Sequence, residues 1–273
     1  MQTVDKKILK IETRTIENNN KRYIDSRNSI LTVLSPLAIL IVWELIVKFG
    51  MLDSRFFPAP TKIIVTMFDM IKSGVLLTDL KVSLIRILGG FLLGAIPGLI
   101  IGLTMGLFPI VKIIMDPIVN ATYPIPKLAI MPLIMILFGL TEFEKMVVIA
   151  LGTVFLVLMN TVAGVVNLDK IYMDVAKNYG ASKKGYYLTV ALPGALPMIF
   201  TGLKLGMGMA LLLIVASEMN GASQGIGYRI WASYSIFNIP EMFVCFIIMS
   251  LLGYLFTAFL DKVERIIIPW KQV

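Results

Sequence analysis

Two ammonium groups stand in stretches that are otherwise almost free of charge. Lys127 falls within YPIPKLAIMP, and Lys204 interrupts the apolar run 195–217. Placing charge in such a run is expensive, so each is a candidate to offer positive potential to an anion; each could equally snorkel or pair. Glu218, at the end of the same run, can cap, gate or pair. Other chemistry is poorly provided for. There is no histidine, the one cysteine is Cys245, and no two carboxylates have a spacing that suggests hydrolysis. Gly180-Ala-Ser-Lys-Lys-Gly185 lacks the spacing of a phosphate-binding loop, so ATP hydrolysis is not expected here. No metal and no cofactor are expected in this chain.

The elements that carry these residues follow from composition. The chain is 58% hydrophobic and 15% charged, against about 25% charged in a soluble domain. Crossing roughly 30 Å of hydrocarbon takes about 20 apolar residues in a helix. Stretches 87–111, 146–168 and 242–260 contain no Asp, Glu, Lys or Arg. Stretch 30–47 is broken only by Glu44; four prolines and Lys127 are among the interruptions of 113–140. Lipid cannot satisfy an open sheet edge, and the ten-residue alternation of an outer-membrane barrel is missing. The expectation is an all-α membrane protein with six spans, at about 30–49, 84–110, 113–140, 145–167, 195–217 and 240–261.

Orientation follows from Lys and Arg. The polar tail 1–29 carries seven of them and has no apolar signal core, so the first span reads as a retained anchor. With that tail cytoplasmic, six spans place the C-terminal tail 262–273 inside as well. The loop 168–194, with Lys170, Lys177, Lys183 and Lys184, then also falls inside. The net charge of +8 therefore needs no nucleic acid to explain it. A single cysteine allows no intrachain disulfide.

Three local patterns add detail. Thr61 can cap a short interfacial helix running through Ile71. Gly90, Gly94, Gly98, Gly102 and Gly106 recur every four residues, a stripe without side chains. It either faces a path or moving partner, or is static packing. Pro117, Pro124, Pro126 and Pro132 remove backbone donors from the third span. Such a helix lines a cavity or is kinked and packed in protein.

The loop 168–194 has the strongest internal grammar. Asp169 can cap a helix that Gly180 ends, and Ser182 can cap a second that Pro193 stops. Ile171, Val175 and Tyr179 share one face of the first, flanked by Tyr172 and Ala176. An apolar helical face outside the bilayer calls for a groove in another protein.

These residues, Asp174-Val-Ala-Lys-Asn-Tyr-Gly180-Ala-Ser followed by two Leu-Pro pairs, resemble the EAA loop of binding-protein-dependent ABC importer permeases. Asp174-Val175-Ala176 departs from the usual Glu-Ala-Ala and keeps the carboxylate. The blocks Ser83–Arg86, Pro124–Ala129, Asn160–Gly164, Glu218-Met219 and Gly225–Gly227 resemble the nitrate/sulfonate/taurine importer permeases, over roughly residues 30–271.

The resemblance implies the type I ABC importer permease fold in the bacterial cytoplasmic membrane. It implies two permease copies (a homodimer), two ATPase subunits holding ATP and Mg, and an extracytoplasmic substrate-binding protein. It assigns ATPase coupling to Asp174, Val175, Ala176, Tyr179, Gly180, Ala181, Ser182 and Pro193. Candidates for the translocation path are Pro124, Pro126, Lys127, Lys204 and Glu218. The cargo would be a small sulfonate, taurine or nitrate. The rival reading is a secondary transporter or channel, which often carries inverted repeats; the proline-broken span has no second copy.

Overall fold

Helices make up the regular structure of the described residues, 34–270 in this computed structural model, and no strand occurs among them. A first unit ends at Val65 and a second begins at Thr66. In the first, helix α1 covers 34–48, and residues 30–33 of the expected first span lie outside the described residues. Helix α2 is Pro60–Lys72. Thr61 does not cap it as expected, because Pro60 opens the helix and Thr61 already lies in its first turn. The capping oxygen comes instead from α1. The Thr61 N–H donates to Glu44 Oε2 at 3.0 Å and its hydroxyl to Oε1 at 2.9 Å. In the connecting loop, hydrogen bonds from Arg55 hold the Asp53 carboxyl below its ordinary range.

The second unit is organised by three long helices: α3 (Val75–Leu107), α6 (Glu142–Val166) and α9 (Leu192–Met219). The glycine stripe explains how α3 meets α6. A Cβ on Gly94 would lie 2.5 Å from the Ala150 carbonyl oxygen, and one on Gly98 2.7 Å from that of Val154. Gly90, Gly102 and Gly106 meet Ile149, Thr161 and Val165 just as closely. The stripe is thus a packing seam within the chain, where backbones approach because no side chain intervenes. From α9, Gly202 and Gly206 repeat the device against Asn160 and Thr153. Ile87, Ile149, Val157 and Ile214 are wholly buried between the three.

The third expected span is two helices, α4 (Pro109–Thr122) and α5 (Lys127–Phe138), bent by 94°. Pro124 and Pro126 lie in the break, where neither can donate a helical hydrogen bond. Pro117 and Pro132 sit inside α4 and α5 without ending them. Among the described residues four helices are long and apolar enough to cross a membrane, or five if α4 and α5 form one broken span.

Short helices α7 (Lys170–Asn178) and α8 (Lys183–Tyr186) precede α9. Helix α10 (Ile226–Ser235) and the long α11 (Ile239–Ile267) follow it. Helices α3 and α11 overrun the expected spans 84–110 and 240–261, since backbone hydrogen bonding continues where hydropathy stops.

Candidate functional site

The loop between α6 and α9 folds largely as its residues dictate. Asp169 Oδ1 accepts the Ile171 N–H at 3.0 Å and so caps α7. At the other end Gly180 takes φ +71°, a conformation that favours glycine. The Ala181 N–H then reaches back to the Ala176 carbonyl at 2.9 Å, the six-to-one bond of a Schellman cap. Ser182 Oγ accepts the Gly185 N–H at 3.1 Å and caps α8. Along α7, Ile171, Tyr172, Val175 and Tyr179 are exposed, Tyr179 at 89%, as is Asp174, whereas Ala176 is turned inward. The result is a short capped helix carrying an uncovered apolar face.

One expectation for this loop fails. Pro193 does not stop a helix, because the chain passes through a π turn, Tyr187–Ala191, directly into α9. In a regular α-helix the Pro193 ring would press on the Thr189 carbonyl. The wider π turn, closed by the Leu192 N–H on the Tyr187 carbonyl, relieves that clash. The loop and α9 are therefore continuous. The Tyr187 ring packs edge-on against Phe108 at 5.7 Å, fastening this segment to the end of α3.

The polar residues nominated for a path are engaged with partners. Lys127 lies at the break between α4 and α5, 4.5 Å over the ring of Phe155, a residue midway along α6. Its Nζ donates to the carbonyls of Thr122, Tyr123 and Ile125 at 3.1, 2.9 and 3.0 Å. Pro124 and Pro126 interrupt the ladder here, and the Thr122 carbonyl keeps only a turn bond from the Ile125 N–H at 3.3 Å. Lys204 bridges α9 to α11, meeting Glu264 at 2.6 Å and also Asp261. Glu218 is fully buried, accepting from Arg86 Nη1 at 2.8 Å, Ser83 Oγ at 2.8 Å and the Gly227 N–H at 2.8 Å.

Glu218 belongs to a larger cluster at the α10 end of the bundle. Arg86 also grips both Glu142 oxygens, at 2.5 and 2.7 Å, and the Gln224 carbonyl at 2.7 Å. Asp79 accepts the Gly225 N–H and Arg229 Nε, both at 2.8 Å. Lys145 reaches the Gly221 carbonyl at 3.2 Å. The α9–α10 connection is thereby stitched to α3 and α6 through its backbone. Gly225, at φ +123°, has no room for a side chain, since a Cβ would lie 2.4 Å from Glu218 Oε1. Asp79, Glu142, Lys145 and Arg229 were not singled out from the sequence. Asp79, Ser83 and Arg86 do share one helical face by their spacing, which is the available signal; Glu142 leaves none.

Sequence blocks more than 130 residues apart, Ser83–Arg86 and Glu218–Gly227, thus meet in one buried constellation. The profile of the family described as binding-protein-dependent transport system inner membrane component matches residues 94–272. The chain belongs to this family. It is 34% identical over 240 residues to the putative aliphatic sulfonates transport permease protein SsuC of Bacillus subtilis, covering 88% of this chain and 87% of the relative. It is 29% identical to the taurine transport system permease protein TauC of Escherichia coli, covering 90% and 91%. Its fold is shared with a chain of the MetNI methionine ABC transporter solved in inward-facing conformations. That match has a TM-score of 0.52 at 18% identity and covers 68% of this chain and 91% of the other. The protein is a multi-pass membrane permease subunit of an ATP-driven importer, working with an ATPase and a binding protein. ATP hydrolysis lies in the separate ATPase subunit.

Proposed function

We propose that this permease admits a small sulfonate, taurine or nitrate across the bacterial cytoplasmic membrane, in a complex of two permease copies, two ATPase subunits and an extracytoplasmic binding protein. Relatives bearing sulfonate, taurine and nitrate permease names at about 30% identity support the cargo class. Six spans with both tails cytoplasmic put α7 on the ATPase side. The observation that carries the coupling role is the exposed face of Ile171, Tyr172, Val175 and Tyr179 on a helix capped at both ends. That face is the coupling surface, with Asp174, Gly180, Ala181 and Ser182 holding its shape.

Because Pro193 joins the loop to α9 without a break, a push on α7 passes into a span. The two α7 helices would follow the ATPase pair as it closes on its ATP and Mg, and the spans would exchange inward-open for outward-open. The break at Pro124 and Pro126 borders the path. Lys127, Lys204 and Glu218 shape it by holding helices in place rather than by touching cargo. The test is co-purification and coupled transport. Gly180→Val and Asp174→Lys should leave the permease folded but separate ATP hydrolysis from uptake. Full coupling in both variants would refute the assignment.

A further inference from the structure

With Lys127, Lys204 and Glu218 committed to internal partners, attention turns to polar groups that are less fully used. Helix α4 carries Lys112, Asp116 and Asn120 at successive four-residue intervals, so all three lie along one face. The rest of α4 is mostly isoleucine and valine, with Ile110, Ile113, Ile114 and Ile118 exposed on other sides. This polar face borders an open groove of about 200 Å3 lined by residues of α3, α4 and α6. Met105 and Leu158 form apolar wall, and Asn167 adds a second amide.

The groups have capacity to spare. Lys112 and Asp116 pair with each other across one turn, and their side chains keep 35% and 37% exposure. One such bond leaves two ammonium N–H donors and most carboxylate lone pairs open. Among the described residues neither the Asn120 nor the Asn167 side-chain amide has a hydrogen-bond partner.

We propose that this groove is a cargo subsite for a small zwitterion, with Lys112 taking its acid group and Asp116 its ammonium. The two amides supply neutral hydrogen bonds, and Met105 and Leu158 cover the carbon chain. Opposite charges one helical turn apart match a solute whose own charges are two or three bonds apart. The groove also adjoins the coupling element. Asn167 ends α6, and two residues later Asp169 caps α7. An occupant therefore rests against the segment that joins cargo to α7. This inference rests on the importer reading and on α7 being cytoplasmic, which makes the groove the last station before release.

The test uses the full complex in vesicles and, separately, the permease–ATPase complex in detergent. The charge-swapped variant K112D/D116K keeps an ion pair at the same spacing, so a purely structural pair survives it. Binding of taurine and of ethanesulfonate to the detergent complex is read by saturation-transfer NMR. Wild type should bind taurine better than ethanesulfonate, and the swap should weaken taurine binding at least ten-fold. In vesicles the swap should raise KM for ATP-driven taurine uptake about ten-fold. Absent taurine binding in wild type, or equal binding in the swap, overturns the proposal even if uptake is robust. Binding that depends on Lys112 without any ATP-driven uptake supports the subsite and counts against the importer cargo assigned above.

Discussion

Arg86 and Glu218, 132 residues apart in sequence, meet at 2.8 Å between α3 and α9 with side chains only 3% and 0% exposed. Neither charge has water to fall back on. Removing one partner from a buried pair leaves the other uncompensated, typically at a cost of about 3–5 kcal/mol. Arg86→Met should therefore lower stability by about that much, read as the midpoint of thermal unfolding in detergent. Ser83→Ala removes a neutral donor from the same carboxylate and an acceptor from the buried Ile226 N–H, and should cost less, about 1–3 kcal/mol. A ranking in the opposite order would contradict the geometry of the cluster.

The seam between α3 and α6 gives a sharper contrast. Gly94→Val puts a Cβ 2.5 Å from a backbone oxygen that cannot move aside. The cost should reach at least about 3 kcal/mol, the upper end of ordinary overpacking. Gly208 on α9 has nothing within 4 Å of its would-be Cβ. There Gly208→Ala should be neutral or stabilise by up to about 1 kcal/mol, because helical glycine is entropically costly. Paired unfolding curves on the two variants decide the matter.

Tyr179 is 89% exposed and closes the apolar face of α7. Tyr179→Asp removes no buried contact, so permease stability should change by less than about 0.5 kcal/mol. Capture of the ATPase subunit on a tagged permease should nonetheless fall at least ten-fold. Undiminished capture would show that α7 does not carry the contact.

Lys127 satisfies three carbonyls at the break between α4 and α5. Lys127→Met leaves them without that donor; the carbonyls are exposed or half-buried, so each lost hydrogen bond costs about 0.5–1.5 kcal/mol. A total near 3 kcal/mol is expected in the unfolding midpoint. Protein that survives should import cargo with a KM within about two-fold of wild type. A large KM change at unchanged stability would return Lys127 to the list of cargo contacts.

Much of the coupling loop was legible in the residues. Asp169, Gly180 and Ser182 act through neighbours one to five positions away, so their roles follow from local backbone chemistry. Pro193 was misread because a proline is an ordinary helix stop. The chain instead widens into a π turn before it, and Tyr187 of that turn packs against Phe108, a contact made across 79 positions. Thr61 was misread for a similar reason, its capping oxygen arriving from Glu44 on another helix.

The sequence by itself determined that this chain is helical and membrane-embedded, where its apolar stretches lie, and how α7 begins and ends. Each of these depends on residues close in the chain: run length against bilayer thickness, capping oxygens, and glycine at positive φ. Only the tertiary structure decided which charges are already used. From their neighbours in sequence, Lys127 and Lys204 could meet an anion, snorkel or pair, and Glu218 could cap, gate or pair. Their partners lie on other helices or are carbonyls released at a bend, and a buried charge settles wherever folding supplies a counter-group. The same packing left the Lys112–Asp116 pair beside an open groove.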